Sequence, residues 1–435
     1  MRPATHETIF ALASGAGRAA VAVLRISGPE SAALLAALCG APPPPRRASL
    51  RRLAGPDGTP LDRALVLWLP GPASYTGEDS AELHLHGGRA VIDAVADALA
   101  ALGARPAEPG EFTRRAFLNG RMDLTEAEGI ADLIDAETEA QRRQALRQTE
   151  GALAGTLRGW ADRLRLLLAE QEALIDFPDE DLPPETEERV RGEIEALAAA
   201  MAARLADGRR GERLREGLTF VIAGAPNVGK SSLVNALAAR EVAIVSPLPG
   251  TTRDALEARV ALGGVPVTLV DTAGLREAGD AIEAEGVRRA LVHARAADLV
   301  IEVVVAGEAG GSGGGERDPA RLLVANKTDL GGAVPVGALG VSAATGQGLD
   351  ALRDALAARA ATLTRVEGPP PLTRSRHRAA LIEAEERLRA ARIAEWPELR
   401  AEDLRLALRA IGRITGHVGV EDILDTLFAR FCIGK

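Results

Sequence analysis

Short apolar runs separated by turn residues fill the first 119 positions of the 435-residue chain. Runs of strand length cover 21–26 and 64–69, and positions 81–85 alternate between apolar and polar residues like a half-buried strand. Proline and glycine at 70–72, and glycine at 87–88, separate these runs. The pattern predicts a mixed region of strands and helices at the start of the chain.

The period of the apolar positions becomes helical at Thr125. We expect Thr125 and Glu128 to form a capping box, because a Thr followed three residues later by Glu can satisfy free backbone N–H groups at a helix start. Helical spacing continues to about residue 208, with a break at the prolines near 177–184. It returns over 373–430, after the prolines of 369–371. Both stretches are therefore predicted to be helical.

Between the two helical stretches, residues 217–360 alternate buried-strand runs with helical segments, which is typical of a parallel sheet. Because the α/β pattern interrupts the helical one, the simplest architecture is an α/β domain inserted in an all-helical domain. The predicted domain boundaries are 1–119, 120–214, 215–365 and 366–435.

Composition narrows the class of protein. No apolar run approaches the ~18 residues needed to cross a bilayer, and Cys39 and Cys432 are far apart, so we expect no membrane association and a cytoplasmic location. A formal net charge of −9 argues against nucleic-acid binding through the overall field. Two arginine clusters are interpreted as solvated helix faces rather than RNA tracks: Arg204, Arg209, Arg210, Arg213 and Arg215, and Arg374, Arg376 and Arg378.

The segment 224–231 reads Gly-Ala-Pro-Asn-Val-Gly-Lys-Ser, directly after a buried-strand run and before a helical one. This is the phosphate-binding P-loop pattern in its strand–loop–helix context. Its backbone N–H groups can close around phosphate oxygens at a helix N-terminus, which favours anions. We expect Lys230 to reach the β- and γ-phosphates and Ser231 to bind Mg²⁺ through its hydroxyl.

An Asp-x-x-Gly motif follows the next buried strand, at 271–274. The carboxylate of Asp271 can hold the Mg²⁺ shell, and the backbone N–H of Gly274 can contact the γ-phosphate. Alone this motif is weak evidence, but after a P-loop it is strong. The sequence therefore predicts a hydrolysable nucleoside triphosphate as the ligand.

Two later segments indicate that the nucleotide base is guanine. Asn-Lys-Thr-Asp at 326–329 places Asp329 where its carboxylate can accept two hydrogen bonds from the base. Adenine lacks that pair of donors, so a buried carboxylate would be left unpaired and ATP would be rejected. We expect a backbone N–H of the Ser342-Ala343 segment to contact the guanine oxygen. The four segments in this order predict a GTPase.

The residues alone leave open which group orients the attacking water. Leu275 stands where many GTPases have a glutamine, so another side chain must take that role. Glu277 and Glu283 are the candidates, although a solvated helix carboxylate is the simpler interpretation of Glu277. We expect Thr252 to bind Mg²⁺ and sense the γ-phosphate. Arg253 is interpreted as a structural or surface residue rather than a built-in arginine finger.

Beyond the nucleotide motifs, the chain carries an ordered set of short segments. They include Leu-Arg-Ile-Ser-Gly at 24–28, Tyr-Thr-Gly-Glu-Asp at 75–79, Pro-Gly-Glu-Phe-Thr at 109–113, Ile-Asp-Phe-Pro-Asp-Glu at 175–180, Gly-Thr-Thr-Arg-Asp at 250–254 and Phe-Cys-Ile-Gly-Lys at 431–435. With these segments, the chain resembles the MnmE (TrmE) family of bacterial tRNA modification GTPases over nearly its whole length. The ordered set is far more specific than the GTPase motifs, which many families share.

The resemblance implies a multidomain α/β protein. A P-loop GTPase (Ras-like) domain would be inserted in an all-helical domain and preceded by an α+β domain that binds folate and dimerises the protein. It implies that the homodimer, in a heterotetramer with the flavoprotein MnmG, adds a carboxymethylaminomethyl group to C5 of the wobble uridine of certain tRNAs. 5-Formyl- or methylene-tetrahydrofolate would supply the methylene carbon. The folate contacts carried over by the resemblance are Arg25, Glu82, Arg121 and Lys435.

The resemblance also implies that G domains dimerise across their nucleotide faces, with K⁺ in place of an arginine finger. The matching K⁺ ligands are Asn227, Ser246, Leu248 and Thr251, the middle two through backbone carbonyls. The water-positioning glutamate of the family corresponds to Glu283, which selects it over Glu277.

Motifs and resemblance together assign three roles. The catalytic residues are Glu283, Lys230 and Thr252, and the Mg²⁺ ligands are Ser231 and Thr252. The GTP contacts are Asn227, Val228, Gly229, Lys230, Ser231, Ser232, Ser246, Thr251, Thr252, Asp271, Thr272, Ala273, Gly274, Asn326, Lys327, Asp329, Ser342 and Ala343.

Two alternatives stay open. The first is a GTPase switch that binds RNA or the ribosome without modification chemistry; such proteins often append a module with a Gly-x-x-Gly loop, and residues 361–435 lack a convincing one. The second makes 1–119 a dimerisation module only, which folate binding by that segment would exclude.

His84 and His86 are expected in a folate pocket or core rather than at a metal site, because no cysteine or third histidine lies nearby.

Overall fold

The computed structural model describes residues 7–15, 17–176, 185–240, 257–271, 297–308, 320–366 and 368–418, together with 424, 427–429, 431 and 434. Contacts between Cα atoms divide the chain into two compact units. Unit 1 comprises Met1–Ala131, Ala154–Ala161 and Leu408–Lys435, and unit 2 comprises Asp132–Leu153 and Asp162–Ala407. The four domain boundaries drawn from the sequence pattern stay a prediction.

A six-stranded sheet forms the body of unit 1. Its strand order is β3-β4-β5-β2-β1-β6, antiparallel except where β1 pairs with β6. The strands are β1 Ile9–Leu12, β2 Val21–Ser27, β3 Ser49–Ala54, β4 Pro60–Leu69, β5 Ser80–His86 and β6 Arg105–Pro106. The helices that begin in this part are α1 Ser31–Cys39, α2 Arg89–Ala101, α3 Glu111–Leu118 and α4 Leu124–Ile134.

Alternation along the central strands of unit 1 decides which side chains reach its core. Leu24 and Ile26 of β2 are buried against Leu83 and Leu85 of β5, and α1 and α2 cover this apolar face. The residues between them belong to the other face of the sheet, where Arg25 of β2 lies directly opposite Glu82 of β5.

Unit 2 contains a second six-stranded sheet, in the order β12-β11-β10-β7-β9-β8. Its pairings are parallel except for the β8–β9 hairpin. The strands are β7 Leu218–Gly224, β8 Glu257–Leu262, β9 Val265–Asp271, β10 Leu299–Val305, β11 Arg321–Asn326 and β12 Leu339–Gly340. Apolar runs in β7 and β9 bury residues on both faces of these strands, as a parallel sheet covered by helices requires.

The remaining helices begin in unit 2 or run through it. They are α5 Glu139–Thr149, α6 Ala152–Asp176, α7 Glu185–Leu205, α8 Arg210–Glu216, α9 Lys230–Arg240, α10 Leu349–Thr364, α11 Ser375–Ile393 and α12 Pro397–Thr415. Helix α9 packs against β7, β8 and β9, whereas α10 packs against β8 and β9. The prolines of 369–371, after which helical spacing was predicted to return, lie between α10 and α11.

The capping box predicted at Thr125 and Glu128 was wrong by two residues. The backbone N–H of Asp123 donates to the Glu126 carboxylate at 2.7 Å, and that of Glu126 donates to the Asp123 carboxylate at 3.0 Å. Asp caps a helix as well as Thr does. Thr125 is inside the first turn, where its hydroxyl donates to Asp123.

Among the described residues, none of the helices combines the length and the apolar character needed to cross a membrane.

Candidate functional site

Two close approaches in unit 2 explain the glycines of the P-loop. At Gly224, which ends β7 with φ +151°, a Cβ would lie 2.3 Å from the carbonyl oxygen of Val303. At Gly229, with φ +91°, a Cβ would lie 2.4 Å from Nδ2 of Asn326. Residues that carry a side chain rarely adopt these φ values, and a Cβ does not fit in the space at either position. The loop between β7 and α9 therefore depends on glycine at both ends.

Lys230 begins α9 and is only 5% exposed. Its Nζ donates to the backbone carbonyl of Gly224 at 3.0 Å and to that of Ala225 at 2.8 Å. The ammonium group is thus held over the loop at the N-terminus of a helix, where both charge and helix dipole attract anions. This geometry suits a phosphate group.

Ser231 and Asp271 meet beside this loop. Parallel pairing of β7 with β9 places Ile222 opposite Asp271, and the Ser231 hydroxyl donates to the Asp271 carboxylate. Asp271 is 2% exposed. A buried carboxylate beside a hydroxyl is a pair of hard oxygen donors, which fits Mg²⁺.

Asn326, at the end of β11, connects three of the predicted nucleotide segments. Its Nδ2 donates to the carbonyl of Val228 in the P-loop at 2.9 Å, and its Oδ1 accepts from the backbone N–H of Ala343 at 3.1 Å. Lys327 adds a second link, because its Nζ donates to the carbonyl of Asn227 at 2.7 Å. Buried Asn326 therefore fixes the base-recognition segments relative to the phosphate loop.

Asp329 lies in a short 3₁₀ turn, Thr328–Leu330, immediately after this network. Its side chain is exposed and has no hydrogen-bond or ion-pair partner among the described residues. The expected buried carboxylate is therefore not seen. The penalty against adenine would arise only when a bound base covers Asp329 and removes water from it.

The Ser342-Ala343 segment uses its N–H groups inside the protein. Ser342 donates to the carbonyl of Gln347 at 2.9 Å, and Ala343 donates to Asn326. Ser342 is completely buried. These bonds hold the segment in place, so a contact from Ala343 to a guanine oxygen would be shared with Asn326.

Several predicted contacts fall outside the described residues. These are Ser246, Leu248, Thr251, Thr252, Thr272, Ala273, Gly274, Glu283 and Lys435. The structure places the other predicted nucleotide contacts at the ends of β9 and β11, in the loops that follow β7, β11 and β12, and at the start of α9; they are Asn227, Val228, Gly229, Lys230, Ser231, Ser232, Asp271, Asn326, Lys327, Asp329, Ser342 and Ala343.

Unit 1 contains a second polar site around Arg25. Its guanidinium donates to Glu82 at 2.9 Å and lies 5.2 Å from the ring centre of Tyr75 and 5.8 Å from that of Phe112. The Nη1 atom of Arg25 is buried and has no hydrogen-bond partner among the described residues. A buried donor without an acceptor is costly, so the site fits a ligand that supplies a carbonyl or carboxylate oxygen.

The Glu82 carboxylate stays ionised in this site. Burial acts to raise the pKa of Glu82, but hydrogen bonds and positive charge from Arg25 outweigh burial and hold the pKa below its ordinary value. His84 contributes in the same direction through its Nε2, 3.3 Å from the carboxylate.

Of the other two folate contacts predicted by the resemblance, Lys435 lies outside the described residues, and Arg121 makes no hydrogen bond or ion pair with Arg25 or Glu82. Arg121 is exposed, and its stem lies against Gly77, where a Cβ would be 3.2 Å from Cγ of Arg121. Gly434, next to the predicted contact Lys435, is close to β1, since its Cβ would lie 2.2 Å from the carbonyl oxygen of Leu12.

His84 and His86 have carboxylate partners rather than each other. His84 contacts Glu82, and Nδ1 of His86 lies 2.7 Å from Asp62. Within the described ranges, no group of three or more His, Cys, Asp or Glu side chains could hold a metal.

The arginine clusters are largely paired, so the prediction of solvated faces needs correction. Arg209 pairs with Glu212, Arg213 with Asp298, Arg215 and Arg374 with Asp132, and Arg378 with both Asp207 and Glu212. Carboxylates neutralise these guanidinium groups, which leaves little free charge for an RNA track.

Sequence reasoning did not identify Tyr75 and Phe112 as neighbours of Arg25, nor the contacts that Asn326 makes. Tyr75 and Phe112 are brought to Arg25 by the folding of distant segments, and no local pattern marks that. Asn326 was predicted to contact nucleotide, but its bond to Val228 spans 98 positions of sequence.

Two family models match the chain. The MnmE helical domain matches residues 124–432, and the GTP-binding protein TrmE N-terminus matches residues 8–121. A tRNA modification GTPase MnmE from Gluconacetobacter diazotrophicus is 62% identical, with 100% of both chains covered. A tRNA modification GTPase MnmE from Granulibacter bethesdensis is 56% identical, covering 99% of this chain and 100% of the relative.

Among solved structures, the FeoB G-domain from Methanococcus jannaschii is 24% identical and covers 33% of this chain and 97% of that chain, with a TM-score of 0.23. A TM-score this low supports no argument. The two family models and the full-length relatives are decisive, and they confirm the GTPase class that the motifs predicted. The chain belongs to the MnmE family of tRNA modification GTPases.

Proposed function

We propose that this chain hydrolyses GTP to drive the addition of a carboxymethylaminomethyl group to C5 of the wobble uridine of certain tRNAs, together with the flavoprotein MnmG. The relatives that match at full length are named tRNA modification GTPases, which supports tRNA as the substrate. GTP binding is supported above all by one observation: the side chain of Asn326 forms hydrogen bonds with both the P-loop and Ala343.

The proposal gives each predicted nucleotide-site residue a defined role. Lys230 holds the β- and γ-phosphates, and Ser231 with Asp271 holds Mg²⁺, which supplies positive charge to the reacting phosphate. Asp329 accepts the two guanine donors while Asn326 keeps the base loops in register with the phosphates. Thr252 completes the Mg²⁺ shell, and Glu283 positions the attacking water through a bridging water.

Folate would bind in unit 1, where Arg25 and Glu82 form its polar anchor. The unpaired Nη1 of Arg25 supports this assignment, because a carbonyl oxygen of a folate ligand would satisfy it. The position of Gly434 beside Leu12 also supports it, since Leu12 belongs to β1, the strand that pairs with the strand of Arg25. Arg121 and Lys435 are proposed as additional contacts.

The proposed mechanism predicts that GTP turnover depends on K⁺ and on protein concentration. In the homodimer the two G domains would meet across their nucleotides, and K⁺ held by Asn227, Ser246, Leu248 and Thr251 would offset charge that develops during hydrolysis. We expect turnover in KCl to exceed turnover in NaCl by at least about 10-fold, and to rise with protein concentration. Phosphate release measured in both salts over a dilution series checks this.

The same assay compares Glu283→Ala with the unaltered chain. The substitution is expected to remove most turnover in KCl while GTP affinity stays nearly unchanged, because Glu283 acts on water and not on the nucleotide. Equal rates in both salts at every dilution would rule out the cation-dependent dimer. Loss of GTP affinity in Glu283→Ala would instead show that Glu283 has a structural role.

A further inference from the structure

A cavity of about 410 Å³ lies within unit 2, beside helix α5 and away from the nucleotide contacts described above. Its walls are mostly apolar and include Leu153, Leu214, Val265, Val366 and Pro371. Pockets that bind small molecules have volumes of roughly 300–1,000 Å³ and mainly apolar walls. In size and lining, this cavity falls within that class.

Among the described residues, the charged ones that line the cavity are all positive, namely Arg143, Arg147 and Arg365. Arg143 is 3.7 Å from Glu139, but both side chains are mostly exposed, so that ion pair neutralises little charge. Arg147 has no ion-pair partner in the part of the chain that is described. Arg143 and Arg147 are one turn apart on α5 and present two guanidinium groups on the same side of the helix.

Two glutamine side chains add polar groups to the same lining. Gln148 is buried and accepts from the Thr373 hydroxyl at 2.9 Å. Nε2 of Gln144 donates to the carbonyl of Gly211 at 3.0 Å, whereas its buried Oε1 has no donor among the described residues. The bond to Gly211 fixes which way the amide points, so Oε1 requires a donor from elsewhere.

We propose that this cavity binds a small organic anion. An apolar body would pack against Leu214, Val265 and Pro371, and a carboxylate or phosphate group would bind Arg143 and Arg147. A donor on the ligand would satisfy Gln144. A polynucleotide is a poorer occupant, because its backbone phosphates would leave the apolar walls exposed to water.

A ligand in this cavity would contact several separate segments of unit 2. Leu214 belongs to α8, directly before β7, and Val366 and Pro371 belong to the segment that leaves α10. An occupant would therefore connect α5 to both chain segments that enter and leave the nucleotide-binding sheet. Binding should raise the melting temperature of the full chain, because a ligand that binds the folded state stabilises it.

The probe is 1-anilinonaphthalene-8-sulfonate, an aromatic anion, titrated by fluorescence into the full chain saturated with GDP and Mg²⁺. We expect one site per chain. Arg147→Glu should weaken binding at least about 10-fold, because it removes one charge-assisted hydrogen bond and adds repulsion. Arg142→Glu is the matched control, since Arg142 is exposed on α5 and does not line the cavity; it should change binding less than about 3-fold.

A second pair of variants tests the apolar wall. Ala361→Trp fills the cavity from an exposed position of α10 and should remove binding, whereas Ala358→Trp, exposed on the same helix but outside the lining, should not. Octanoate and octyl phosphate should displace the probe, and the more effective of the two identifies the preferred anion. Octanol should not displace it.

Three results would overturn the proposal: no saturable binding of the probe, binding unaffected by both Arg147→Glu and Ala361→Trp, or displacement by octanol as effective as by octanoate. Melting temperatures of all four variants, measured in parallel, show that each one is folded.

Discussion

Gly229→Ala is expected to lower the affinity for GTP by at least about 100-fold. The added Cβ would lie 2.4 Å from Nδ2 of Asn326, so either the loop or the asparagine must move. Movement of either breaks the bond from Asn326 to Val228 and shifts the N–H groups that face the phosphates. Losing two hydrogen bonds to a charged ligand costs roughly 3–6 kcal/mol, which sets the expected loss. Calorimetric titration with GTP and Mg²⁺ measures it.

Gly264→Ala is a matched control for this substitution. Gly264 has φ +79°, close to the value at Gly229, but a Cβ there would have no atom within 4 Å. Both variants should therefore lose about 1–2 kcal/mol of folding free energy from the left-handed backbone. Only Gly229→Ala should lose affinity for GTP. Equal GTP affinity in the two variants would show that the approach of Asn326 to the loop has no part in binding.

Asp329→Asn is expected to change the base specificity of the site from guanine to xanthine. Asparagine replaces one carboxylate acceptor by an amide donor, so it can no longer accept both guanine N–H groups. Xanthine carries a carbonyl where guanine carries its amine, and the new donor suits it. The variant should bind GTP at least about 100-fold more weakly and bind XTP more tightly than the unaltered chain does. Competition between GTP and XTP for a fluorescent nucleotide measures both changes.

The control for this exchange is Asp354→Asn. Asp354 is also an exposed aspartate of unit 2, but it lies on α10 and its carboxylate contacts only Arg353 among the described residues. It should leave both affinities unchanged. An Asp329→Asn variant that kept its GTP affinity would mean that a different group reads the base.

Much of the fold could be predicted because apolar runs mark strands with buried faces. The runs that became β7 and β9 are mostly apolar, and the buried strands predicted before the P-loop and before Asp271 are confirmed. β3 was missed because its sequence, Ser-Leu-Arg-Arg-Leu-Ala, has two arginines at its centre and because the strand lies at the sheet edge. Pairing between distant strands, such as Arg25 opposite Glu82, depends on packing of the whole sheet and has no local signal.

The nucleotide site was predictable in its residue types but not in its internal contacts. Spacing predicted Lys230, Ser231 and Asp271 as one site, because the chemistry of phosphate and Mg²⁺ requires those groups at those places. The structure holds Lys230 over the loop and joins Ser231 to Asp271, while their roles in binding stay predictions. Spacing could not show that the Ala343 N–H bonds to Asn326 instead of being free, or that Asp329 is exposed. These features depend on how loops from separate strands approach one another, which sequence motifs do not encode.

We propose that Asp329 selects guanine while the loop from Gly224 to Ser231 binds the phosphates. Calorimetric titration of the full chain with the β,γ-imido analogues of GTP and ATP, both with Mg²⁺, tests it most directly. The expected result is one guanine nucleotide per chain and an adenine nucleotide bound at least about 1,000-fold more weakly. Equal uptake of the two analogues, or uptake of neither, would contradict it.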